Sequence, residues 1–109
     1  PAQGVHGATF TVDCAFFATE MDHESLVVDI GLATEALAET LAPLRYKNLD
    51  DIPEFKGKMT TTEFLCKHIF DRMADTVRAG GLKDGGRVKK LRVLLHESHM
   101  ARAWFEGDI

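Results

Sequence analysis

In residues 91–98, LRVLLHES, a carboxylate stands where the local pattern asks for a hydrocarbon. Leu91, Val93 and Leu95 alternate with Arg92, Leu94 and His96, the period of two of a half-buried strand. Glu97 continues the apolar side. An inward carboxylate is costly unless something pairs with it. A nitrogen-rich ligand, with N–H groups to donate, has the right chemistry for that partner. His96 and His99 flank the position. Alternation turns His96 away from Glu97, whereas His99 sits in the reversal at 98–100 that joins two strands across residues 91–106. Histidine titrates near neutral pH, so either ring could act as a base. Surface hydrogen bonding is the plainer reading of both.

Other elements must hold that stretch in place. Residues 8–19, ATFTVDCAFFAT, read as a strand rich in β-branched and aromatic residues. Ala8, Phe10, Val12, Cys14 and Phe16 share one face; Thr9, Thr11, Asp13, Ala15 and Phe17 share the other. Residues 20–25 read as a turn, and 26–28 as a short strand pairing back. Asp29 is placed to cap a helix over 30–42, with Leu32, Ala33, Ala36, Leu37, Thr40 and Leu41 on its apolar face and Pro43 as its stop. The connection 44–59 exceeds an ordinary loop, which points to function or subunit contact. Thr60 and Glu63 are spaced as a capping box for a second helix over 62–79. Its core stripe is Leu65, Ile69, Met73 and Val77, broadened by Cys66 and Phe70, and Gly80 and Gly81 end it. Residues 82–90, with their glycines and lysines, are expected to form a mobile loop. His23 and His68 receive no role, Trp104 is expected at the sheet surface or a subunit contact, and the basic residues of 87–92 read as a solvated loop.

Strand–strand, helix, helix, strand–strand is an α+β order. It implies a four-stranded antiparallel sheet with two helices on one face. Such a sheet leaves edges open, and joining sheets edge to edge in an oligomer would cover them.

The chain has 109 residues, enough for one domain over 1–109 with a real core. Its 45% hydrophobic and 28% charged residues are those of an ordinary globular protein. A net charge of −4 argues against nucleic acid or an anionic membrane as partner. No window is apolar enough to span a bilayer and no signal peptide is visible. Cys14 and Cys66 sit in apolar segments and read as buried thiols in a reducing cytoplasm. The chain opens on Pro1 rather than Met, so further residues before it are expected.

The succession of HGATFTVD, LVVDIG, PLRYKNLDDIPEF, TTTEFLCKHI and VLLHESHMARAWFEG resembles the 6-pyruvoyl-tetrahydropterin synthase family, which includes the 6-carboxy-tetrahydropterin synthases. The resemblance spans nearly the whole chain. It implies the tunnelling (T-) fold, in which subunits close a barrel around a pore, typically as a hexamer of two trimers, with active sites between subunits. It also implies zinc held by a histidine on the first strand and two more in an HGH-type motif. Here that motif reads His6-Gly7-Ala8, so His6 matches a ligand position and Ala8 cannot ligate. The family's first strand would precede Pro1, and the remaining ligands are expected there. Catalytic zinc needs about three protein ligands, so a site rests on those residues or does not form.

The family's proton relay matches less well. Its cysteine falls within residues 1–5, which contain none, and its Asp-His pair falls on Arg45 and Tyr46. Arginine cannot act as a base, and tyrosine can only with a strongly lowered pKa. Glu97 matches the glutamate that holds the pterin ring, whose amino-pyrimidinone edge offers two parallel donors to a carboxylate. Thr61 and Thr62 match threonines beside the pterin. The resemblance therefore implies a zinc-dependent lyase acting on a dihydroneopterin-type triphosphate, with Glu97 as anchor and His99 or Tyr46 in place of the missing base. The alternatives are a pterin- or purine-binding oligomeric module without turnover and a purely structural oligomer.

Overall fold

The computed structural model describes residues 11–19, 27–44, 55, 57, 61–84, 86–98 and 101–109, with backbone alone at 97, 98 and 101. Five regular elements follow in order: β1 (Thr11–Ala18), α1 (Ile30–Leu41), α2 (Thr62–Arg78), β2 (Val88–Ser98) and β3 (Ala101–Asp108). A 3-10 turn over Ala42–Leu44 extends α1. The helix proper ends at Leu41 with Ala42 as its cap, directly before Pro43, as expected of a residue with no N–H to continue the α-helical ladder.

The sheet is antiparallel with β2 in the middle, in the order β1-β2-β3. Its register converts the alternation into two surfaces. Cys14 lies beside Val93, which lies beside Phe105; Val12, Leu95 and Ala103 form the next such row. On the opposite surface Asp13, Leu94 and Trp104 align, as do Ala15, Arg92 and Glu106. The first surface is core, with Leu91, Val93 and Leu95 fully buried. The second faces solvent, with Trp104 64% exposed. There Lys90 pairs with Glu106 at 3.5 Å, and the Arg92 guanidinium lies 5.6 Å from the centre of the Phe17 ring.

Helix α2 covers the core surface. Its apolar stripe buries Leu65, Cys66, Ile69, Phe70, Met73, Ala74 and Val77, as the four-residue spacing predicts. The Cys66 thiol donates to the Ala103 carbonyl at 3.2 Å, and the Phe70 ring meets the Phe105 ring at 4.8 Å. Gly107 lets Phe70 come this close, because a Cβ there would stand 2.9 Å from the ring. Helix α1 packs against α2. The Thr40 hydroxyl, bonded to the Ala36 carbonyl at 2.8 Å, also lies 3.5 Å from the Met73 sulfur.

Three expectations need correction. The described residues contain three strands, not four: Val27 and Val28 form a bend, and Leu26 lies outside the described residues. Val28 is nonetheless core, directly ahead of the Asp29 cap, where an apolar residue staples the helix entry. Its β-branched side chain answers to burial there, not to strand pairing. The loop before β2 is shorter and better held than expected, since β2 starts at Val88 and Leu82 and Asp84 are buried. The Asp84 carboxylate accepts from the Val88 amide at 2.9 Å. The cap of α2 is Thr61, not Thr60, so Glu63 does not close a capping box. The first strand is seen from Thr11; residues 8–10 lie outside the described residues.

Candidate site at the end of β2

Three contacts fix the direction in which α2 crosses the sheet. Cys66, early in the helix, touches Ala103, which pairs with Leu95. Phe70, one turn later, touches Phe105 and crowds Gly107, which pairs with Leu91. Moving forward along α2 therefore moves backward along β2. Thr62 lies about 6 Å up the helix from Cys66, and Glu97 about 6.6 Å further along the strand from Leu95. The start of α2 and the end of β2 thus share one end of the molecule, with Thr61, Thr62 and Glu97 all at that end.

Thr61 is already engaged. Its hydroxyl oxygen accepts from the Phe64 amide at 3.0 Å, satisfying one of the donors that a helix start leaves open. The hydroxyl hydrogen remains available as a donor. Thr62 is the first residue of α2 and is half-buried.

Glu97 occupies a break in the β2–β3 ladder. His96 pairs with Arg102 and Ser98 with Ala101, so Glu97 is the extra residue of a bulge. A bulge bends its strand, disturbs strict alternation and is frequent beside active sites. The period-two argument from the sequence therefore reaches as far as His96 and stops one residue short of Glu97. His96 itself belongs to the solvent face, with Nε2 3.7 Å from the Asp13 carboxylate. His6, Tyr46 and His99 lie outside the described residues.

Both cysteines are free. Burial pushes the Cys14 thiol up to about 11 and raises that of Cys66 as well, outweighing the opposing backbone contribution of Leu95. Neither forms the thiolate that nucleophilic or proton-transfer chemistry needs near neutral pH. Among the described residues no three His, Cys, Asp or Glu side chains come together as a metal site, so these residues do not by themselves hold zinc. No helix among them is long and apolar enough to cross a membrane.

One histidine that the sequence reading set aside is structurally engaged. His68, given no role from the sequence, is half-buried and meets the ring of Phe55 edge-on at 4.8 Å. Phe55 comes from the long connection and is 1% exposed. The i,i+4 spacing of Phe64 and His68, both able to flank one inserted ring, was the available signal.

Comparison with known proteins gives a consistent result. A model of the 6-pyruvoyl tetrahydropterin synthase family matches residues 1–108. The crystal structure of 6-pyruvoyl tetrahydropterin synthase from Plasmodium vivax superposes with a TM-score of 0.74, covering 95% of this chain and 82% of that one. At 16% identity this likeness shows a shared fold. No curated protein matches the chain. A family match over nearly every residue, together with the antiparallel sheet under two helices, identifies this chain as a member of the 6-pyruvoyl tetrahydropterin synthase family, with its T-fold.

Proposed function

We propose that this chain is a pterin-binding lyase of the tetrahydropterin synthase type, acting on a dihydroneopterin-type triphosphate. The observation that supports it most is the antiparallel run of α2 over β2, with Thr61 and Thr62 at the same end as Glu97. In this reading the Glu97 carboxylate accepts two N–H groups from the amino-pyrimidinone edge of the ring, a charge-assisted and bidentate contact. Thr61 donates its hydroxyl hydrogen while its oxygen stays on the Phe64 amide. Thr62 lines the same end. His99 or Tyr46 replaces the base that the family supplies through a cysteine and an Asp-His pair.

The pore-forming oligomer belongs to this reading, as a hexamer or another multiple of a trimer. The strand order is compatible with it, because among the described residues β1 and β3 are the edge strands of the sheet. A cytoplasmic setting is part of it too, in keeping with the unpaired thiols. Zinc, if present, would involve His6 together with residues before Pro1, and elemental analysis of the purified protein decides its presence.

The test is turnover. The protein is incubated with dihydroneopterin triphosphate, and triphosphate release and pterin product are followed by chromatography. Release that is abolished in Glu97→Gln supports the lyase. Binding without release moves the chain to the non-catalytic binding module. Neither binding nor release overturns the pterin reading.

A further inference from the structure

The Phe55 cluster lies on α2, away from the sheet contacts of that helix. Phe55 is held edge-on by Phe64, at 5.0 Å and 84°, and by His68, at 4.8 Å and 87°. Phe64 and His68 are one turn apart, so they form the two jaws of a clamp on one helix face. His68 has a second neighbour: it borders an open cleft of about 360 Å³ between α1 and α2. Glu39 and Thr40 of α1 and Arg72 and Asp75 of α2 line that cleft. The His68 ring therefore stands between a buried phenylalanine and an open space that carries two carboxylates.

The two protonation states suit these surroundings differently. A neutral imidazole packs against Phe55 as one aromatic ring on another. An imidazolium next to a buried apolar ring is desolvated and disfavoured. Burial accordingly pushes the His68 pKa down, and the Asp71 carboxylate on the next turn opposes this. A cationic ring turned into the cleft would meet Glu39 and Asp75, which attract it, and Arg72, which repels it. Asp75 also lies 3.6 Å from Arg78.

We propose that His68 is a two-position proton switch: neutral, it clamps Phe55; protonated, it turns into the α1–α2 cleft toward Glu39 and Asp75 and releases that ring. The clamp is linked to the start of α2, because Phe64 is also the residue whose amide Thr61 caps. The switch stands on this packing alone and does not depend on pterin binding. Its sign is set by the lowered pKa of the folded state. The clamp is intact above the ordinary histidine value of about 6.5 and weakens as pH falls from there through the lower folded value.

The test is NMR of the whole protein labelled at phenylalanine and histidine rings, titrated from pH 8 to pH 5. The expected result is that the Phe55 ring signals move with the same midpoint as His68, below about 6.5. In His68→Phe the Phe55 signals stop responding to pH. In the double variant Glu39→Gln, Asp75→Asn the His68 midpoint falls further and Phe55 stays clamped to lower pH. Phe55 signals that stay still while His68 titrates would overturn the proposal, as would the same Phe55 response in His68→Phe or an unmoved midpoint in the double variant.

Discussion

The two ends of β2 are secured in opposite ways. At its start a side chain does the holding: the Asp84 carboxylate, 2% exposed, accepts from the Val88 amide. Leu82, two residues earlier, is fully buried. At its far end the ladder to β3 slips at Glu97, and the neighbouring helix start is capped by an exposed contact, Thr61 to the Phe64 amide. One end is satisfied within the chain. At the other, the β2–β3 register skips Glu97 and the Thr61 hydroxyl keeps a hydrogen to donate. The described contacts thus tie down the regular end of β2, whereas its far end carries the irregularity at Glu97.

This contrast makes graded predictions. Asp84→Ala removes the buried acceptor and leaves the Val88 amide without a partner, so urea unfolding should show a loss of about 2 kcal/mol. A loss no larger than that at Thr61 would mean the two ends are held alike. Thr61→Ala should cost about 1 kcal/mol through the lost cap, and Thr61→Asp should restore most of it. If pterin affinity in Thr61→Asp falls while stability recovers, the hydroxyl serves the ligand as well as the helix. If both recover together, Thr61 is a cap only. The smallest effect concerns Lys83, a non-glycine residue at φ 52 in the loop that leads into β2. Lys83→Gly removes the Cβ clash of that conformation, partly offset by backbone entropy, for a gain below about 1 kcal/mol. A loss in thermal unfolding would show that the Lys83 side chain contributes more than its backbone costs.

Much of this architecture can be read from residue order, and the failures have physical causes. Helix α2 is legible because Leu65, Ile69, Met73 and Val77 repeat at the helical period and two glycines follow. The faces of β1 are legible because alternation persists from Thr11 to Phe17 and the register keeps it. Val28 was misread because β-branched residues suit both strands and buried bends, and two or three residues cannot separate the cases. Thr60 and Thr61 are the same residue type, so side-chain chemistry could not choose between them as caps. The order of the loop before β2 was hidden because its glycines suggested freedom, while the buried Asp84 that organises it reads as one more polar loop residue. Thr61 and Thr62 were legible as site residues through the family resemblance alone. The bulge at Glu97 was not legible, since slippage between two strands depends on both partners and leaves no mark on either. His68 was missed because its partner, Phe55, comes from a connection with no period to read.

In the proposed function Glu97, at the irregular end of β2, anchors a pterin ring. The most direct measurement is calorimetric titration of wild type and Glu97→Ala with a dihydropterin, beside urea unfolding of both. The account predicts that Glu97→Ala weakens binding by at least ~2 kcal/mol, about 30-fold, with stability little changed. Equal affinity in the two proteins would contradict it.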